Sequence, residues 1–231
     1  MYKRVLLKIS GEALAGENKH GIDPISIGNI CDRIKILHDK GIEIGVVVGG
    51  GNFWRGRDDH DMERTTSDYI GMLSTVMNSL AVRDALEKRG VEAVVLTAIQ
   101  MNVVAESYTK RNTEKYLKEG KVVIFSAGTG HPYFSTDTCA ALRACEMNAE
   151  VILVAKTIDG VYSADPKIDK DAVKYDTITY SEVLKKNLQA MDSASTAICM
   201  ENNIPLVVFS IFEPDNIVKA AEGKNIGTLV K

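Results

Sequence analysis

Four stretches of the chain carry residue types suited to holding an anion. KISGEAL sets Lys8, Ser10 and Gly11 side by side, and GVVVGGGNFWRG (45–56) runs three valines into Gly49, Gly50 and Gly51, with Arg55 four positions on. SAGTGHPYFSTDT (126–138) mixes glycines with hydroxyls and an acid, while AKTIDGVYSADP (155–166) combines a lysine, aspartates and a tyrosine. Glycine lets backbone N–H groups approach an anion closely, and consecutive N–H groups form a concave nest for phosphate oxygens. Lysine adds a mobile point charge and arginine a planar fork. Such a set does electrostatic work on a polyanion. Each stretch alone has a plainer explanation: a tight turn at 49–51, a solvated strand-end lysine at Lys8, a surface stacking pair at Trp54 and Arg55. Their common position decides between the two.

That position follows from the elements between them. Short β-branched runs at 4–9, 43–48, 92–97, 121–126, 150–155 and 205–211, with a small last one at 227–230, are continuously apolar, as expected of strands covered on both faces. Asp23 and Pro24 read as an N-cap and first helical residue, followed by a stripe of Ile27, Ile30, Ile34 and Leu37 that stops at Gly41. A second helix over 66–89 carries Met72, Leu73, Val76, Met77, Leu80 and Leu86 as its apolar face; further helices fit 136–147, 189–202 and 214–222. Alternation of this kind predicts an α/β fold with a mostly parallel sheet and helices on both sides. Ligands of such folds bind outside the carboxyl ends of the strands, where all four stretches fall. The segment 157–180 reads as irregular or short-stranded and suits a second ligand-facing lobe of the same domain. Asp58, Asp59, His60 and Asp61 read as a solvated, mobile loop.

Composition narrows the classes. With 231 residues, 45% of them apolar, one substantial core is affordable, and a net charge of −3 gives no basic excess for a nucleic-acid track. Cys31, Cys139, Cys145 and Cys199 show no paired spacing, and His20, His38, His60 and His131 are equally scattered, so a zinc site is not expected and reduced thiols are. The apolar part of KRVLLKIS is too short for a signal peptide or a membrane span. A soluble, cytoplasmic protein with no nucleic-acid or membrane partner is expected. GxxxxGK[ST] is absent, GTGHPY and GGGNFW both fail GxGxxG, and no HRD and DFG pair occurs.

KISGEAL, VVVGGGNFWRG, DYIGMLSTVMNSLAVRD, SAGTGHPYFSTDTCA, DGVYSADP and AMDSAS, in this order, resemble the bacterial uridylate (UMP) kinase branch of the amino acid kinase family. The resemblance runs essentially end to end. It implies a single domain over 1–231 with the three-layer α/β/α sandwich of that family, assembled as a homohexamer. The implied reaction passes the γ-phosphoryl group of ATP to UMP with Mg²⁺, on the route to CTP, with UTP as inhibitor and GTP as activator. By position, Lys8, Ile9, Ser10 and Gly11 match the ATP phosphate loop; Gly51 and Arg55 match residues at the transferring phosphoryl group, and Gly50 one at UMP. Asp68 matches the acid that holds the UMP ribose. Thr129, Gly130, His131, Pro132, Tyr133, Phe134, Ser135 and Thr136 match the loop around the uracil and its phosphate. Tyr162 and Asp165 align with adenine and ribose contacts of ATP, and a further adenine contact is implied near Lys156 or Thr157. Gly16, Glu17, Asn18, Lys19, His20 and Gly21 lie where a GTP-responsive segment sits.

The residue types suit that chemistry. The acceptor phosphate, with a second pKa of about 6, is already mostly ionised at neutral pH, so no general base is needed. The obstacle is charge: two like charges ~4 Å apart repel by roughly 4 kcal/mol at an effective dielectric of ~20. Lys8 and Arg55 supply cations, and the glycine turns supply N–H donors. Asp137 and Asp192 are the carboxylates placed near Lys8 and Mg²⁺, each with a helix N-cap as its alternative role. Asp68 has an alternative as a first-turn helix acid, Tyr162 as a surface loop tyrosine, and Met72, Met77 and Leu80 read as core or subunit-interface filler. Two rival functions remain at this point: another small-molecule kinase of the superfamily, and a nucleotide-binding regulator without turnover.

Overall fold

The computed structural model describes residues 1–55, 61–213 and 215–231. Among these, β1 (Arg4–Ile9), β2 (Glu43–Val48), β3 (Ala93–Thr97), β4 (Glu106–Ser107), β5 (Val122–Ser126), β6 (Val151–Lys156), β9 (Thr177–Ile178), β10 (Leu206–Ser210) and β11 (Thr228–Val230) form one sheet. Its order is β4-β3-β5-β2-β1-β6-β10-β11-β9, parallel throughout except where β10 meets β11. The remaining strands, β7 (Val161–Tyr162) and β8 (Lys174–Tyr175), make a small antiparallel pair inside the segment read as irregular.

Alternation along the strands builds the two cores. Val5, Leu7 and Ile9 point to one face with Ile44, Val46 and Val48, against α2 (Pro24–Asp39), α3 (Arg64–Glu87) and α8 (Asn216–Ala221). Leu6 and Val47 point to the other, against α4 (Lys110–Lys118), α5 (Thr136–Glu146), α6 (Tyr180–Lys185) and α7 (Ser193–Glu201). Covering both faces gives the α/β/α sandwich, and it explains why these strands are apolar without a break. The stripe Ile27, Ile30, Ile34 and Leu37 is buried as predicted, and Asp23 caps α2 by accepting from the Ser26 N–H at 2.8 Å.

Several expectations need correction. α1 (Gly11–Ala15), α4 and α6 were not anticipated. α4 buries only Thr113 and Leu117, too little to leave an apolar stripe in the sequence. The helix expected over 189–202 begins at Ser193, because Asp192 is its cap. On α3, Met72 and Val76 are buried, whereas Leu73 and Met77 are about half exposed, so the apolar run wraps beyond the core face. Of the acidic stretch read as a mobile loop, Asp58, Asp59 and His60 lie outside the described residues. No helix among the described residues is long and apolar enough to cross a membrane.

Candidate active site

The four strands preceding the anion-suited stretches are neighbours in the middle of the sheet, in the order β5-β2-β1-β6. Ile9 pairs with Val48 on one side and Ala155 on the other, so Ser10, Gly49 and Lys156 stand at one level. Parallel pairing thus collects the stretches on one rim.

At its centre Lys8, 7% exposed, holds its Nζ 2.8 Å from Asp137 Oδ1. Asp137 lies in the first turn of α5 but is not its cap. Ser135 is, accepting from the N–H groups of Asp137 (3.0 Å) and Thr138 (3.2 Å). Burial pushes the Asp137 carboxyl up, yet the charges of Lys8 and then Lys156 overcome this and hold it below its ordinary range. Lys156, at the end of β6, is held below the usual lysine range, first by burial and also by the neighbouring Lys8 charge. One buried carboxylate therefore faces two ammonium groups. Asp192 is the N-cap its alternative reading described: Oδ1 accepts from the Ser195 N–H at 2.7 Å. Its Oδ2 accepts from the hydroxyls of Ser135 and Thr138, which ties the start of α5 to the start of α7.

The triple glycine has a packing reason. A Cβ on Gly50 would stand 2.7 Å from the Gly71 carbonyl oxygen on α3; on Gly51, 2.5 Å from Glu12 Oε1; on Gly49, 3.0 Å from the Gly11 N. Gly11 is equally confined, 2.6 Å from the Gly51 N. Two loops and a helix meet here backbone to backbone. Below the turn, Asn52 and Asn78 are buried and exchange side-chain hydrogen bonds of 3.0 and 2.7 Å. Asn78 also donates to the Gly49 carbonyl at 2.7 Å and Asn52 to the Gly21 carbonyl at 2.6 Å; the Gly21 N–H returns a bond to the Asn52 carbonyl at 3.0 Å. The segment Gly16, Glu17, Asn18, Lys19, His20 and Gly21 is thereby fastened to the glycine turn, and His20 meets Phe53 edge to face at 5.8 Å. Arg55, half exposed, donates to Glu12 Oε1 at 2.5 Å.

Beside this wall opens a cavity of about 510 Å³. Of the expected acceptor-site residues, Gly50, Asp68, Thr129, His131, Tyr133, Phe134, Ser135 and Thr136 line it, together with Gly51 and Asp192; Gly130 and Pro132 belong to the same loop without lining it. The loop is tightly turned: Gly128 (φ 58°), Gly130 (φ 81°), Ala127 (φ 59°) and Tyr133 (φ 71°) all take left-handed conformations. Thr75 Oγ1 on α3 accepts from the Ala127 N–H at 2.8 Å and fixes its start. Asp68 Oδ2 accepts from the Tyr133 N–H at 2.7 Å and from Arg64 Nε at 2.8 Å. α3 begins at Arg64, so Asp68 stands beyond the first turn and the dipole reading does not apply.

Trp54, Arg64, Met72 and Thr75 also line the cavity and were missed as site residues. The i,i+4 spacing of Arg64 and Asp68 was a usable signal for the arginine. Tyr162 and Asp165 do not reach this cavity. Tyr162 donates its hydroxyl to Asp159 at 2.8 Å, which is what raises its phenol pKa, and Asp165 accepts from the Lys167 N–H at 2.9 Å. They stand on the β7–β8 side, past Lys156.

Residues 3–210 match the family model described as the amino acid kinase family. The chain belongs to the amino acid kinase family. Among solved structures it is similar to the UMP kinase of Bacillus anthracis, at 38% identity and a TM-score of 0.96, covering 100% of this chain and 96% of that one. It is likewise similar to the UMP kinase of Ureaplasma parvum, at 40% identity and 0.94, covering 100% and 99%. The uridylate kinase of Archaeoglobus fulgidus matches at 28% identity and 0.75 over the full length of both chains.

Proposed function

We propose that the chain is a nucleoside monophosphate kinase, one catalytic domain over 1–231, that transfers the γ-phosphoryl group of ATP to UMP and releases UDP. The observation that carries this is the rim itself: Lys8, the glycine wall and Lys156 stand on neighbouring strands beside a cavity walled by Asp68 and the 129–136 loop. Phosphoryl transfer between two polyanions asks for alignment and charge neutralisation more than for proton chemistry. Lys8 and Lys156 offset charge on the ATP phosphates, with Asp137 keeping Lys8 aimed. N–H groups of Ser10, Gly11 and Gly51 approach the same oxygens, and Ile9, wholly buried, contributes through its backbone. Arg55 exchanges Glu12 for the phosphoryl in flight. Gly50 and the 129–136 loop take UMP, with Asp68 accepting from a ribose hydroxyl. Tyr162 and Asp165 take the adenosine end of ATP.

Mg²⁺ fits as a metal that arrives with the triphosphate. The carboxylates at the rim are already engaged, Asp137 by Lys8 and Asp192 by the Ser195 N–H and the Ser135 and Thr138 hydroxyls, and Mg²⁺ in such sites takes one or two carboxylates with phosphate oxygens and waters. When bound it would neutralise charge on the β- and γ-phosphates. Asp137 and Asp192 are the residues to orient its waters.

The same reading includes the finer expectations: a homohexamer in the cytoplasm feeding UTP and CTP synthesis, inhibited by UTP and activated by GTP through residues 16–21. The half-exposed Leu73 and Met77 on α3 support an assembly face. Coupled ADP-release assays with UMP, CMP, AMP and acetylglutamate, repeated with UTP and GTP, test it. Turnover with UMP alone of the four is expected; none with UMP overturns the reading.

A further inference from the structure

Arg64 was assigned no role above, yet it makes two contacts at the mouth of the cavity. Its Nε donates to Asp68 Oδ2, and its guanidinium lies 5.2 Å from the centroid of the Tyr133 ring. The Tyr133 N–H donates to that same Oδ2. Tyr133 needs holding, because its φ of 71° is a left-handed conformation that costs a residue with a Cβ about 1–2 kcal/mol. Nor is it held by burial: the side chains of Tyr133 and Phe134 are 67% and 53% exposed. What keeps the loop over α3 at this point is one carboxylate oxygen, kept in place by one arginine.

We propose that Arg64 is a positioning residue for the acceptor: with Asp68 it latches the 129–136 loop onto α3. The ligand then meets a preformed wall. Both bonds fall on Oδ2, which leaves Oδ1 to the ligand, so one carboxylate serves the latch and the acceptor at once. The guanidinium plane suits this work better than an ammonium, since it bonds Asp68 edge-on while covering the tyrosine ring. This rests on the acceptor reading above only for the identity of the ligand.

The test uses the full chain with Arg64→Ala, Arg64→Lys, Asp68→Ala and Arg64→Ala/Asp68→Ala. Chymotryptic cleavage after Tyr133 and Phe134, followed by mass spectrometry, reads the loop with no ligand needed. Arg64→Ala is expected to speed cleavage there by about tenfold, the equivalent of a lost charge-assisted contact, with Arg64→Lys in between. On the Asp68→Ala background the arginine should matter much less, because only its contact with the Tyr133 ring remains. Trp54, the only tryptophan in the chain and a lining residue of the cavity, gives a fluorescence titration with UMP alone. Its apparent Kd should rise by about tenfold in Arg64→Ala while the KM for ATP stays within about twofold. Unchanged cleavage in Arg64→Ala, or an arginine effect as large without Asp68 as with it, overturns the latch. A wild-type chain whose Trp54 ignores UMP while the cleavage pattern holds overturns the acceptor reading and leaves the latch standing.

Discussion

Lys8 Nζ and Asp137 Oδ1 lie 2.8 Å apart, one on the last turn of the pleat in β1 and the other in the first turn of α5. Removing one member of such a buried pair strands the other. Asp137→Asn should therefore cost about 3–5 kcal/mol of stability as well as turnover, and Lys8→Met/Asp137→Asn should recover much of the stability but no activity. The sign of the pH effect is fixed. The carboxyl titrates below its ordinary 3.8 in the folded chain, so its contribution is complete above that value and is lost as pH falls through the lower folded value. Thermal melts of wild type and Asp137→Asn should converge in acid; a gap that widens there contradicts the pairing.

Lys156 shows the opposite balance. Its ammonium is disfavoured, first by burial, with the Lys8 charge adding to it. A base with a depressed folded pKa weakens folding fully below that pKa, and the penalty is relieved as pH rises from it to the ordinary value of 10.5. Lys156→Met should raise the melting temperature at neutral pH while raising the KM for ATP. A lower melting temperature would show that its bond to the Gln189 carbonyl, 3.1 Å long, outweighs the burial.

Gly50 and Gly51 separate packing from chemistry. Gly50→Ala drives a methyl into the α3 backbone and should destabilise by about 1–3 kcal/mol. Gly51→Ala meets only the flexible end of Glu12. It should fold normally and still lose turnover if phosphate oxygens approach Gly51 as proposed above. A fully active Gly51→Ala refutes the second half of that claim.

On the proposed reading, Glu12 competes with substrate phosphate for Arg55. Arg55 is half exposed and Glu12 about a third, so the pair is worth about 1 kcal/mol at most. Glu12→Gln should lower the KM for ATP by no more than about fivefold, and the difference should shrink as salt is raised. Arg55→Ala, by contrast, should lower kcat itself. A Glu12→Gln enzyme with weakened ATP binding would assign Glu12 a supporting role instead.

The frame of the fold was legible because its signals are local. Ile27 to Leu37 repeat on a helix period, and the strands are apolar from end to end. The common rim of the four stretches followed from parallel pairing alone. What escaped has physical causes. In STDT, all four residues are of types that can cap a helix, and backbone geometry selects Ser135 over Asp137. The pairing of Arg55 with Glu12 joins residues 43 positions apart, which no spacing rule connects. The role of Asn52 and Asn78 was invisible too, since a buried amide looks like any surface asparagine until its partners are known. α6, by contrast, carries a capping box at Thr179 and Glu182 that the sequence did offer.

Gly21 and Asn52 exchange two hydrogen bonds, and Asn52 is itself braced by Asn78. The braced asparagine ties residues 17–20, exposed to solvent, to the glycine turn at the rim. On the reading proposed above, a ligand gripping that segment would change the rate at the rim without entering the cavity.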